Sequence, residues 1–293
     1  MPDDEEIQSK EAEGQDFKFR TDYPLMEIWA ANYEGAQDLR KREMNRLRCW
    51  IRGYIPEDQW QGTDFSDKKL NDAKVLRFVA DILSPQAVEH VQRLSEFEEG
   101  AKSLLRKEVH KHYLWPWVKT IPGVSEVLAA RLFCRLNLDH PAIKGPASIW
   151  AYAGIDGGSW RDRKKCNRAL RVVVHLIGDN LVRSGAPVAA STTKAGATRS
   201  AREATSWYLL YQERKSYETE RNERGDYAEQ AARELERLKK LKENTAAFKA
   251  YSTGKLPAAH IDARAKRYIA KRFLLELWRE HRRIRDGVEL AAD

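Results

Sequence analysis

From Pro257 toward the C-terminus, Ile261, Ala265, Ile269, Phe273 and Leu277 fall at four-residue steps, with Tyr268 and Trp278 beside them. That spacing gathers them into one stripe along a helix, and Pro257 stands where such a helix opens. The same period governs the opposite end of the chain. Between Tyr23 and Tyr54, Leu25, Ile28, Trp29, Met44, Leu47 and Ile51 recur at three- and four-residue steps, which predicts a helix, or two helices if Gly35 breaks it. A second helix is expected from about Asp67 to Leu83. Ser84-Pro85 supplies a cap and first-turn proline for a third, heavily charged one, expected to end at Pro116. No segment carries a convincing strand pattern. The expectation is an all-α protein in which long helices and coiled-coil-like hairpins surround a compact helix-hairpin-helix core.

Composition narrows the organisation. A chain of 293 residues with 42% apolar content can bury one large core or two modest ones. With 33% charged residues and a mean hydropathy of −0.69, much of its length must lie on solvated helix faces or against a charged partner. The charge is uneven. Residues 1–16 hold seven Asp/Glu against one Lys, a balance of −6, so the remainder carries +14 of the net +8. A pI near 9.3 with this asymmetry points to a polyanionic partner, because each Lys or Arg placed on a phosphate releases a counterion.

The expected organisation runs in five parts. An acidic, disordered tail occupies 1–20, a long-helix region 21–116, the compact core 117–184, a flexible Ala/Ser/Thr/Gly-rich linker or loop 185–206, and a C-terminal helical region 207–293. Within the last, Ala228, Ala231, Leu235 and Leu238 step by three, four and three, a coiled-coil spacing that suggests self-association.

Three isolated cysteines, Cys49, Cys134 and Cys166, argue against a disulfide framework and for a reducing cytoplasm. His110 and His112, two residues apart, point to different faces of a helix and read as surface residues rather than zinc ligands. No apolar run reaches the roughly 18 residues of a membrane span, and the acidic N-terminus does not resemble a signal sequence, so no membrane partner is expected.

Two segments carry the functional signal. In Trp117–Leu136, WVKTIPGVSEVLAARLFCRL, an apolar residue precedes Pro-Gly and a small-residue helix follows. In a helix-hairpin-helix the glycine lets the backbone turn sharply, so the next helix presents N–H groups and its dipole to a DNA phosphate. Gly123, Val124 and Ser125 would meet the phosphate, with Lys119 nearby, while Ala129, Ala130 and Leu132 permit close helix packing. An ordinary helix corner without a ligand is the alternative. In Ala151–Arg171 a glycine-rich turn is followed by Arg161, Arg163, Lys164, Lys165, Arg168 and Arg171 against Asp162, beside Trp160, a surface suited to a nucleic-acid backbone. Asn167 either reads a base edge or caps the following helix, the commoner role. The last helix sets nine Lys/Arg against four Asp/Glu, a balance of +5 that a solvated face explains as well as nucleic acid does. His260 reads as a cap or core residue. No carboxylate cluster suited to Mg²⁺ stands out.

The strings IPGVSEVLAARL, IWAYAGIDGG, CNRALRVVVHLIGDNLVRSG, WYLLYQERKSYETERNERG and KLPAAHIDARAKRYIAKRFLLELW together resemble transposases of the insertion sequence 110 type, which include the 116 and 902 groups. The resemblance covers roughly Tyr23 to Arg283, the first hundred residues only as a helical region. It implies DNA binding in transposition, a resolvase-like N-terminal domain with an Asp-Glu-Asp-Asp metal site, a C-terminal serine nucleophile, and for some members a structured guide RNA. About 22 residues precede the first expected helix, too few for the metal domain, so those carboxylates are not carried over. Mg²⁺ is then expected only if a separate subunit completes the site, and no cofactor in this chain alone. The candidate for the serine is Ser159, although Trp160 follows it where the family has glycine, and a turn or cap role competes. The expected partner is DNA, with a split transposase and an RNA-binding scaffold as the alternatives.

Overall fold

The computed structural model describes residues 23–60, 64–65, 72–82, 85–156, 166–192, 198–237 and 243–287. Among them the chain is all-α: eleven α-helices and one 3₁₀ turn, with a single two-stranded ladder of two residues per strand. The expected acidic tail and Ser84 lie outside the described residues. Two compact units divide the chain between His112 and Tyr113.

In the N-terminal unit, α1 (Pro24–Tyr54) opens on a first-turn proline, followed by α2 (Asp72–Ile82) and α3 (Pro85–Val109). Helix α1 runs unbroken through Gly35, where no neighbour approaches and a missing side chain costs only propensity. Met44, Ile51, Trp60, Phe65, Val75, Phe78, Val79, Val88 and Val91 form its core. A polar clasp fixes the register of the three helices. Arg40 donates to Glu98 (2.7 Å) and Asp72 (3.0 Å), Arg48 reaches Asp72 (2.6 Å), and Gln37 donates to Glu98 (3.1 Å). Burial alone would raise the Glu98 carboxyl, but the hydrogen bonds from Arg40 and Gln37 outweigh it and hold it below the ordinary carboxylate range.

Helix α3 ends at Val109, about two turns before the expected boundary at Pro116, and Pro116 opens a new short helix, α4 (Trp115–Val118), instead of ending the long one. The reason is local: a proline in the first turn needs no N–H partner, so Pro116 serves as a helix start. The C-terminal unit then builds α5 (Glu126–Phe133), α6 (Pro146–Tyr152), α7 (Arg168–Gly185), α8 (Ser206–Glu223), α9 (Ala228–Arg237), α10 (Ala246–Ser252) and α11 (Ala258–Asp286).

Helix α11 is the spine of this unit. Its predicted stripe of Ile261, Ala265, Ile269, Phe273 and Leu277 is buried throughout, joined by Ala270, Leu274 and His281. Helices α6, α7 and α8 pack against it. Helix α7 crosses at Gly178, where an added Cβ would lie 2.9 Å from the Lys266 carbonyl oxygen. Helix α8 runs antiparallel to α11, since Trp207 lies beside Phe273 while the Asn222 side chain bonds the Leu256 backbone in both directions. Glu218 of α8, only 1% exposed, accepts hydrogen bonds from Arg214, Tyr227 and Arg264.

Two expectations need revision. The 185–206 segment was expected as a flexible linker or loop, without strands. It returns on itself as a hairpin instead, with β1 (Ser191–Thr192) antiparallel to β2 (Thr198–Arg199) and a reciprocal Val188/Arg202 bridge. Its ends are tied together where the Thr205 N–H donates to the Gly185 carbonyl (3.0 Å) and Thr205 caps α8. The Ala231–Leu235 stripe of α9 is covered within the chain by Tyr227, Tyr251, Leu256 and Ile261, so it is not a free coiled-coil seam. Ala228 is exposed, and Leu238 lies outside the described residues.

Candidate nucleic-acid interface

The Pro-Gly corner joins α4 to α5. Trp117 anchors α4 by stacking on Phe273 at 6.0 Å. Gly123 has φ +95°, a left-handed conformation, and a Cβ there would meet the Asn180 carbonyl oxygen of α7 at 2.6 Å. Glycine is therefore required both by the turn and by the close approach of α7. Ser125 caps α5, its hydroxyl accepting from the Leu128 N–H at 3.3 Å. Ser125, Lys119 and Pro122 are exposed, and Gly123 is half-exposed. Val124 is placed differently from its sequence expectation: it is 6% exposed, and its N–H donates to the Ile121 carbonyl at 3.3 Å. Behind the corner, Ala129, Ala130 and Leu132 are buried, as close packing of α5 on α7 requires. Arg183, on the α7 turn that abuts Gly123, is exposed and donates to Asn180.

At the start of α7, Asn167 takes the capping role. Its Oδ1 accepts from the Leu170 N–H (2.9 Å), its Nδ2 donates to the Tyr152 hydroxyl (2.8 Å), and its own N–H donates to the Tyr152 carbonyl (2.8 Å). Two of these three bonds use the side chain, which fills the capping role. Arg168 is exposed in the first turn. Arg171 is half-buried, its Nε 3.5 Å from His175 Nε2. Ser159, Arg161, Arg163, Lys164 and Lys165 lie outside the described residues.

The cations of α11 sort themselves by partner. Arg264 bonds Glu218, Lys266 bridges Asp179 and Asp262 (2.9 Å each), and Arg272 and Arg279 share Glu276. Arg282 pairs with Asp286, Arg283 with Glu280 and Arg285 with Asp139. Most of this helix is thus the solvated, ion-paired face that charge counting allowed. Arg267 and Lys271 are the exceptions: among the described residues neither has an ion pair. Lys271 Nζ stands 5.2 Å from the Trp150 ring, whose Nε1 donates to the Lys271 carbonyl. Burial lowers the Arg267 and Lys271 pKa values, and neighbouring Arg264 and Arg171 push Arg267 further down. His175 is lowered by burial and then by Arg171 and Arg267. Sequence reading named Arg171 but missed His175 and Trp150. The spacings Arg171/His175 and Arg264/Arg267/Lys271, each on one helix face, were the available signal.

Beside Arg171 and His175 a groove of about 410 Å³ opens between α7 and α11, also lined by Val172, Leu176, Asp262 and Lys266. His260 packs against Tyr251, 5.8 Å between rings, a structural contact. His112, expected at the surface, is instead buried against the Tyr23 ring at 4.7 Å, while His110 is exposed. Among the described residues, no three His, Cys, Asp or Glu side chains converge as a metal site, and no helix is long and apolar enough to cross a membrane. No protein-family model, curated protein or solved structure matches the chain.

Proposed function

We propose that this chain is a transposase-like DNA-binding protein whose C-terminal unit grips the nucleic-acid backbone. The observation that carries the reading is the corner at Gly123. It is braced from behind by α7 and leaves the capped start of α5 at the surface, with Ser125 and Lys119 exposed beside it. A helix start so placed offers N–H groups and the positive end of the helix dipole to a phosphate, and Lys119 adds a mobile charge. Arg168 extends the same chemistry along the start of α7. The motif strings that resemble insertion sequence 110-type transposases give the reading its biological frame, and a structured guide RNA stands as a further partner within it.

The reading predicts binding through counterion release. Each lost phosphate contact flattens the plot of log affinity against log salt by about 0.9. Lys119→Ala with Arg168→Ala should weaken duplex binding at low salt and flatten that plot by roughly 1–2 units, as read by fluorescence anisotropy on a labelled duplex. An unchanged affinity and slope would remove the corner from the interface.

A further inference from the structure

We propose that the N-terminal unit binds a second copy of this chain through a face shared by α1 and α3, on the side of that helix pair away from α2, giving a two-fold symmetric dimer. The inference is independent of the function proposed above; it rests on which apolar side chains this unit leaves exposed and on the charges that flank them.

Helix α1 carries two heptad seams. One holds Met26, Ala30, Gln37, Met44 and Ile51, which face the rest of the unit. The other runs Leu25, Ile28, Asn32, Gly35 and Leu39, at alternating steps of three and four, and its three large apolar residues are about half exposed. Helix α3 repeats the pattern with Phe97, Gly100 and Leu104, of which Phe97 is 55% and Leu104 36% exposed. The two helices are antiparallel: Tyr23 packs on His112 and Gln37 donates to Glu98, which brings Gly35 level with Gly100. In antiparallel helices so registered, positions that fall to the same side of the shared seam form one surface. Leu25, Ile28, Leu39, Phe97 and Leu104 therefore make one apolar face. Helix α2 lies on the other side, where Arg48 reaches Asp72 and Val88 packs into the core built with α2. Five large apolar side chains gathered on one face differ from the singly scattered residues normal for a surface.

The occupant that fits is the same face of another copy. An isologous interface must be complementary to itself, and α3 meets that condition. Laid antiparallel on α3 of the second copy, with the two-fold axis beside Gly100, Phe97 falls against Leu104. A Cβ built at Gly100 would meet nothing within 4 Å, so the helices have room to approach closely there. The same seating sets Arg93 opposite Glu108 of the second copy and Glu89 beside its Lys111. Within one chain these four make the pairs Arg93–Glu89 (2.6 Å) and Lys111–Glu108 (2.7 Å), so each end of the face carries both signs, and reversing its direction brings unlike charges together. The area is adequate as well. From Leu25 to Leu39 the face is about 20 Å long and two helices wide, which approaches the roughly 800 Å² per partner of a stable interface.

The test measures the mass of the full chain by light scattering across a concentration series, with helical content followed by circular dichroism. Wild type should run at twice the 33.8 kDa chain mass. Leu39→Glu/Phe97→Glu should be a monomer of unchanged helicity, since both side chains are exposed within one copy. Two charge reversals, Glu89→Arg/Arg93→Glu and Glu108→Lys/Lys111→Glu, each keep their own intrachain pair. Each alone should weaken self-association roughly tenfold or more, and an equimolar mixture of the two should restore it, because unlike charges meet again in the mixed dimer. A wild type that stays monomeric at every concentration overturns the proposal. So does a dimer that survives Leu39→Glu/Phe97→Glu, which places the contact elsewhere on the chain. Should that variant lose helicity, the charge reversals decide: weakened dimers rescued on mixing support the antiparallel seating, and dimers unaffected by either reversal overturn it.

Discussion

Gly123 combines a left-handed backbone with a neighbour at a distance no side chain tolerates. Gly123→Ala should therefore destabilise the fold by about 2–4 kcal/mol, from backbone strain and displacement of the Asn180 turn together. Chemical denaturation measures it; a loss near zero would mean that α7 does not brace the corner. Glu218 is the second position where one residue decides much. Burial would raise its carboxyl, but hydrogen bonds from Tyr227, Arg264 and Arg214 outweigh this and keep it below the ordinary range. Glu218→Gln removes the charge that three groups share and leaves Arg264 facing further cations. The expected loss is about 3–5 kcal/mol, typical of a buried pair broken on one side. A variant as stable as wild type would show that the network is dispensable.

At the scale of elements, capping explains how α7 begins. Asn167→Ala removes the bond to the Leu170 N–H and the bond to Tyr152, so a loss of about 1–2 kcal/mol is expected, with Asn167→Asp milder because it keeps the capping oxygen. Equal losses in the two variants would contradict the cap. The elements differ in how far the chain announces them. Helix α11 was legible because its five apolar residues repeat over many turns, and the corner because Pro-Gly ahead of a small-residue helix marks a sharp turn between helices. The hairpin at 188–202 was not. Its strands are two residues long, its Ala/Ser/Thr composition suits a loop equally well, and its ends are joined by a Gly185–Thr205 contact that local pattern does not contain. The third helix was overrun because Pro116 was read as an end when it is a beginning. The candidate site was half legible for a related reason. Nine cations on α11 look alike in sequence, and only the positions of Glu218, Asp179, Asp262, Glu276, Glu280, Asp286 and Asp139 show that, among the described residues, Arg267 and Lys271 have no ion pair. Local motif singled out Gly123, Ser125, Asn167 and Arg171, of which Asn167 caps a helix, and Val124, named with them, is turned inward.

For the molecule as a whole, acid should loosen the C-terminal unit. His281 is buried, 2.7 Å from the Tyr113 hydroxyl, and burial lowers it below its ordinary value of 6.5, outweighing the attraction of Asp139; His175 is lowered in the same direction. The unfolded chain takes up these protons near pH 6.5 while the folded chain does so only at lower pH. Their contribution to stability is therefore complete above about pH 6.5 and falls as pH drops from there through the folded pKa values. Thermal midpoints measured downward from pH 7.5 should fall below 6.5, and His281→Gln should flatten that fall; a midpoint that rises on acidification would contradict the assignment. The positive charge beyond residue 16 and the exposed Lys119 and Arg168 fit the polyanionic partner proposed above. The most direct measurement is the affinity of the full chain for a short DNA duplex across a salt series. A log–log plot that falls steeply, by several units at about 0.9 per phosphate contact, is the predicted result; no binding at low salt, or binding indifferent to salt, would contradict it.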